Sequence, residues 1–268
     1  MCTSSPGTTQ EASPSHAEMR KDGYCAHGAG LVLARLERLH SGDREELFRL
    51  QVCLNLFQTC YPPTRIAYWK RRIRRGLRAL NALHDHQQLL HWVARQSPSP
   101  AERSGVRRVQ LRLSQQLERL QLQAESAWQS LLDSHTLNEI RGLSQRWVEL
   151  HSAEAPCPAY TEREWTRFVR EHLPALHSET MALESRWGRL HALVVGAELM
   201  GIAVPCEWLA AYQTVAHKRF IQSAQRILQS LWEAEQTYAQ QYYGHTRALS
   251  RLQAGWEFLQ KHVEETHP

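Results

Sequence analysis

Between Pro63 and Pro98 the chain carries no proline and a single glycine, Gly76, while apolar side chains return at Ile66, Trp69, Ile73, Leu77 and Leu80. Intervals of three and four residues are the period of an α-helix. A segment of this length can bury such a stripe only as one long helix packed against others. The same pattern runs from about Ala29 almost to the C-terminus, with Leu, Ala, Gln, Glu and Arg dominant, all of them good helix formers. No stretch alternates as a half-buried strand would, so the sequence reads as all-α.

Breaks in the periodicity fall at Tyr61–Pro63, Ser97–Pro100, His151–Thr161, Pro174, Gly201–Pro205 and Gly244. Ser99 followed by Pro100 has the cap-plus-proline form of a helix start, with Pro100 at the first position. Residues 1–27 are rich in Ser, Thr, Pro, Gly and Glu and read as a disordered tail. The linker between His151 and Thr161 divides the remainder into two helical halves, 28–151 and 162–265, each with about four segments. Leu80, Asn81 and Asp85 in the first half are echoed by Leu228, Gln229 and Glu233 in the second, which hints at an internal repeat.

The six cysteines include no Cys-x-x-Cys pair and no metal-finger spacing, and are expected as reduced thiols in a cytoplasmic protein. No apolar run approaches the length of a membrane span, and the N-terminus lacks a signal-peptide core.

Charge is unevenly placed. The net charge is only +5, but Arg65, Lys70, Arg71, Arg72, Arg74, Arg75 and Arg78 all precede the first acid of their segment, Asp85. On a helix, Lys70, Arg74 and Arg78 form one row and Arg71 and Arg75 a parallel one. Of the 32 cations 28 are Arg, whose planar fork grips phosphate oxygens in pairs. Such a face suits a polyanion and not a neutral metabolite. The competing reading is a solvated helix face neutralised by acids on neighbouring helices.

Other chemistry finds no support. His84, His86 and His91 cluster around Asp85, but His86 points away from the face the other two share and no fourth ligand has helical spacing. No nucleophile stands beside a base in a recognisable signature, and no Gly-rich loop could cradle a nucleotide phosphate. The expectation is a non-enzymatic chain with no cofactor and no metal. The nine tryptophans, about one per helix, lie on apolar stripes and read as core. Only Trp69, beside Lys70, is placed to stack a base, so nucleic acid is an unlikely partner.

Taken in order along residues 29–265, these features resemble the CHAD family, the conserved-histidine α-helical domain. Gly42 and Asp43 leading into Phe48, Gln51 and Val52 look like the start of its first signature. Leu80, Asn81 and Asp85 look like its Leu-Gly-x-x-Arg-Asp motif, and Gln225, Leu228 and Glu233 resemble the second-half counterpart. The resemblance implies two pseudo-symmetric four-helix bundles around a basic cavity that binds inorganic polyphosphate. At the family's His and Arg positions this chain has Phe48 and Gln51 in the first half, and Met181, Glu184, Gly188 and His191 in the second. The implied polyanion contacts therefore fall to Lys70, Arg71, Arg74, Arg75 and Arg78, joined by Arg186 and Arg189 from the second half. The alternatives are a helical scaffold that works through a protein partner, at a storage-granule surface for example, and RNA binding.

Overall fold

The computed structural model describes residues 16–151 and 154–265. Among them are nine α-helices and no strand. They are α1 (His16–Arg38), α2 (Arg44–Leu56), α3 (Pro63–Ala94), α4 (Arg103–Asp133), α5 (Thr136–His151), α6 (Pro158–His172), α7 (Leu183–Leu199), α8 (Cys206–Tyr243) and α9 (Ser250–Glu264). The protein is all-α, as the periodicity requires. No described helix is long and apolar enough to cross a membrane.

Local chemistry sets the boundaries. Asp43 caps α2, its carboxylate accepting from the Glu46 amide at 3.0 Å. Pro63 and Pro158 stand at the starts of α3 and α6, where a missing N–H does no harm. Ser99–Glu102 behaves differently from expectation. Its residues form a separate turn, in which the Ser99 amide donates to the Glu102 carboxylate at 2.8 Å, and α4 begins at Arg103 instead of Pro100.

The N-terminal region also departs from the sequence reading. Helix α1 begins at His16, well inside the segment expected to be disordered, while residues 1–15 lie outside the described part of the chain. Glycines at 23, 28 and 30 weaken helix propensity here. Tertiary packing outweighs that deficit, because Tyr24, Cys25 and Ala29 are buried. At Gly28 the helix comes so close to α2 that a Cβ would lie 2.2 Å from the Phe57 ring, so only glycine fits. The reduced-thiol expectation is corrected as well. Cys25 is disulfide-bonded to Cys60, 35 residues away, which ties α1 to the turn before α3. Only the folding back of α2 along α1 brings the two cysteines together, and no spacing rule registers that. Cys53, Cys157 and Cys206 are free thiols.

Two apolar clusters form the interior. The larger gathers α1, α2, the first half of α3, the end of α4, α5, α6, α7 and the start of α8, around Leu47, Leu50, Trp69, Ile73 and Leu193. The smaller joins the end of α3, the start of α4, the middle of α8 and α9, around Leu89, Val109, Leu228 and Trp256. Each cluster draws on both sides of the 152–161 linker, so the cores do not coincide with the two sequence halves. Helices α3, α4 and α8 run through both. Helices α4 and α9 meet backbone to backbone, where a Cβ on Gly105 would lie 2.3 Å from the Leu252 carbonyl oxygen and one on Gly255 would lie 2.3 Å from that of Glu102.

Charge helps hold the smaller cluster. The Glu235 carboxylate on α8, 3% exposed, accepts from Arg108 at 3.1 Å through both oxygens and from Arg112 as well. Burial alone would raise the Glu235 carboxyl, but the hydrogen bonds from Arg112 and Arg108 outweigh it and hold it below the ordinary carboxylate range. A depressed carboxyl gives stability that is complete above the unfolded-state pKa and lost as pH falls through the folded-state value. Replacement of Glu235 by Gln should lower stability by about 1–3 kcal/mol at neutral pH, since two half-exposed guanidinium groups lose their partner. The deficit relative to wild type should shrink as the pH is taken below the carboxylate range, a comparison that urea denaturation at the two pH extremes would make.

Candidate polyanion interface and the charged seam

Helix α3 buries Ile66, Trp69, Ile73, Gly76, Leu77 and Leu80 and turns its opposite side to solvent. At about 100° per residue, Arg71, Arg74, Arg75 and Arg78 fall within one arc away from that stripe, and Lys70 lies at its edge beside Leu77. The structure sorts the seven cations of this run by what they touch. Arg65 donates to Glu139 at 2.9 Å. Arg72 donates to the Tyr68 hydroxyl at 3.2 Å and lies over its ring. Lys70 is half-buried and donates to Gln58 at 2.8 Å. Burial is the main reason its ammonium is held below the ordinary lysine range, with Arg167 and Arg74 adding repulsion and Glu171 opposing them.

The remaining four, Arg71, Arg74, Arg75 and Arg78, are exposed. No acid or hydrogen-bond partner among the described residues engages them, so neighbouring helices do not neutralise this face. Over the eight residues from Lys70 to Arg78 the helix rises about 12 Å. The row is exposed to solvent.

The second-half candidates behave differently. Arg186 is committed to the backbone, donating to the carbonyls of Ala175 at 2.8 Å and Leu176 at 2.9 Å beyond the end of α6. Its fork is occupied, which removes it from the candidate set. Arg189 is exposed and donates to the Glu171 carbonyl at 3.0 Å, leaving further N–H groups outward. Trp69 is fully buried and donates to Glu139 at 3.0 Å. It cannot stack a base, so the one aromatic expected to serve RNA is core. His86 and His91 are hydrogen-bonded to Gln116 and Arg95 and do not converge with His84 on one point. The one group with metal-ligand proximity among the described residues is Asp22, His151 and Glu154, partly exposed and not singled out by sequence.

Sequence reasoning also missed a charged seam between the two apolar clusters. Arg219 on α8 donates to both carboxylate oxygens of Asp85 on α3, at 2.9 and 3.0 Å, and to Glu184 on α7 at 2.8 Å. Ser223 adds a donation to Asp85 at 3.1 Å, and the guanidinium lies 4.4 Å above the Trp187 ring. Burial disfavours the charged Arg219, but its carboxylate partners more than compensate and raise its pKa. Beside the seam, Phe48 and His191 stack with ring centres 4.1 Å apart, and Tyr212 lies against the other side of His191. Positions where the family resemblance expects a histidine and a cation thus hold an aromatic stack of half-buried Phe48 on buried His191. A sequence signal existed for one member only, Asp85, whose partner lies 134 residues away.

Substitution of Asp85 by Ala should destabilise the fold by about 2–4 kcal/mol, because it strands a buried guanidinium. Adding Arg219→Met should recover part of that loss, a coupling that a double-mutant cycle in chemical denaturation would measure.

Compared with known proteins, the chain matches no family model, no curated protein and no solved structure.

Proposed function

We propose that this protein is a non-enzymatic binder of a linear polyanion, with inorganic polyphosphate as the favoured chemistry, and that the ligand lies along the solvent face of α3. The observation that carries the reading is the unpaired state of Arg71, Arg74, Arg75 and Arg78, four guanidinium groups within two helical turns. Unpaired surface cations at this density repel one another and lower stability. A polymer of closely spaced phosphates relieves that repulsion, and each fork can take two oxygens. Lys70 stands at the start of the row, and both it and Arg189 of α7 lie close to Glu171. The aromatic rings of α3 nearest the row, half-buried Tyr68 under Arg72 and buried Trp69, offer no free face, so recognition rests on charge and spacing, which favours a phosphate chain over stacked bases. The CHAD resemblance points to the same ligand class, although here the contacts lie on an outer helix face instead of in a cavity.

Binding of this kind releases counterions and weakens steeply with salt. In a titration of labelled polyphosphate, the R71Q/R74Q/R75Q/R78Q variant should lose affinity on the order of a hundredfold at low salt, and its log K against log salt slope should fall by about three. Arg103, Arg107, Arg141 and Arg146 are exposed too but spread over two helices. The R103Q/R107Q/R141Q/R146Q control, equal in net charge, should retain most of the affinity. Equal losses in the two variants would mean that net charge, not the α3 row, drives binding. Absence of binding by wild type at physiological salt would leave the scaffold reading in its place.

A further inference from the structure

A cleft of about 350 Å³ opens where the first residue of α2 and the last turns of α3 meet α7 and α8. Its chemistry differs from that of the α3 row. Four rings line it, Trp92, Trp187, Tyr212 and Phe220, contributed by three helices. Three cations accompany them: Arg44 from the start of α2, Arg95 just after the end of α3, and Arg219 of α8, whose fork is held by Asp85 and Glu184.

No carboxylate lines the cleft. Behind the lining, Asp85 and Glu184 neutralise Arg219, and Glu45 faces Arg49 and His191 as well as Arg44. Arg95 has no acidic partner and is hydrogen-bonded to the His91 ring at 2.5 Å. Arg44 donates to Asn81 at 3.3 Å and lies 3.7 Å from the half-exposed Glu45 carboxylate. The lining therefore combines ring faces with guanidinium groups and, among the described residues, no carboxylate. His84, which also lines it, registers that environment: burial first, then the Arg44 charge, hold its imidazole below the ordinary range.

A cation would find no carboxylate in this lining, and a neutral ring would leave Arg44 and Arg95 unmet. A phosphate chain has no use for aromatic walls. We infer that the cleft binds a small aromatic anion, with its ring system against the aromatic wall and its carboxylate or phosphate group toward Arg44 and Arg95. The volume lies near the lower end of small-molecule pockets, about 300–1,000 Å³, and suits one ring system with one anionic group. Ring–ring contact and charge-assisted hydrogen bonds supply the two halves of the recognition.

Isothermal titration of the full chain with naphthoate and with adenosine monophosphate tests this and separates a carboxylate from a phosphate source. At least one of the two should bind saturably, and at least about tenfold more tightly than its uncharged counterpart (naphthalene methanol or adenosine) and than inorganic phosphate. R44Q/R95Q should weaken that binding about tenfold or more, and W92L should weaken it as well. R71Q/R74Q/R75Q/R78Q should leave it unchanged, so failure here is separable from failure of the polyanion reading. If neither anion binds, if the charged and uncharged members of each pair bind alike, or if folded R44Q/R95Q binds as wild type does, the inference is wrong. Circular dichroism establishes folding of each variant, and R44Q/R95Q, which alters only partly or fully exposed side chains, keeps the test decisive if W92L fails to fold.

Discussion

Arg219 is a buried cation, and the arrangement of the long helices depends on keeping it paired. Its side chain is 9% exposed, a position that is tolerable only with carboxylates in contact. Asp85 answers it with both oxygens, and a bidentate contact fixes distance and orientation together. A slip of one turn between α3 and α8 would separate the two groups by about 5 Å and strand both. The apolar clusters on either side tolerate some freedom of repacking, as mixed aliphatic cores do. The seam between them does not, and it sets the register in which Trp69 and Leu193 meet one core while Leu89 and Leu228 meet the other.

Against that frame the electrostatics of the surface divide in two. Buried or half-buried cations are satisfied almost without exception: Arg35 by Glu46, Arg108 and Arg112 by Glu235, and Arg167 by Glu164 and Glu171. On α3 the opposite holds for four consecutive outward positions of the two cationic rows. A helix whose neighbours supply acids so readily elsewhere leaves its densest basic stretch unanswered. That contrast, more than the modest net charge of +5, gives the α3 face its place in the functional reading.

Much of the fold was legible in the sequence because helical periodicity and proline punctuation act locally. Of the expected breaks, those at Tyr61–Pro63, Gly201–Pro205 and Gly244 separate helices as read, and Pro174 falls in a 3-10 turn after α6. The α3 stripe is buried residue for residue. What escaped depends on distance along the chain. Cys25 with Cys60, Gly105 with Gly255 and Asp85 with Arg219 are partnerships between remote segments, and each member alone looks ordinary. The start of α1 was lost because local propensity pointed away from helix while burial of Tyr24 pointed toward it. For Arg186 the charge is visible in sequence, whereas the two carbonyls it serves are not. The aromatic cleft mixes residues from three of the long segments with one from α2, so no window of sequence contains it.

The passage of α3, α4 and α8 through both apolar clusters also bears on motion. Two packed bodies can open and close against each other only where the chain between them flexes, and helices kink at proline, at glycine or at an inserted turn. Helix α8 contains neither proline nor glycine between Cys206 and Tyr243, and Gly76 of α3 sits within the larger cluster, away from the junction. The junction therefore has no hinge. Two of these continuous helices, α3 and α8, supply most of the cleft beside it, so a ligand there meets walls without a proline or glycine break at the junction.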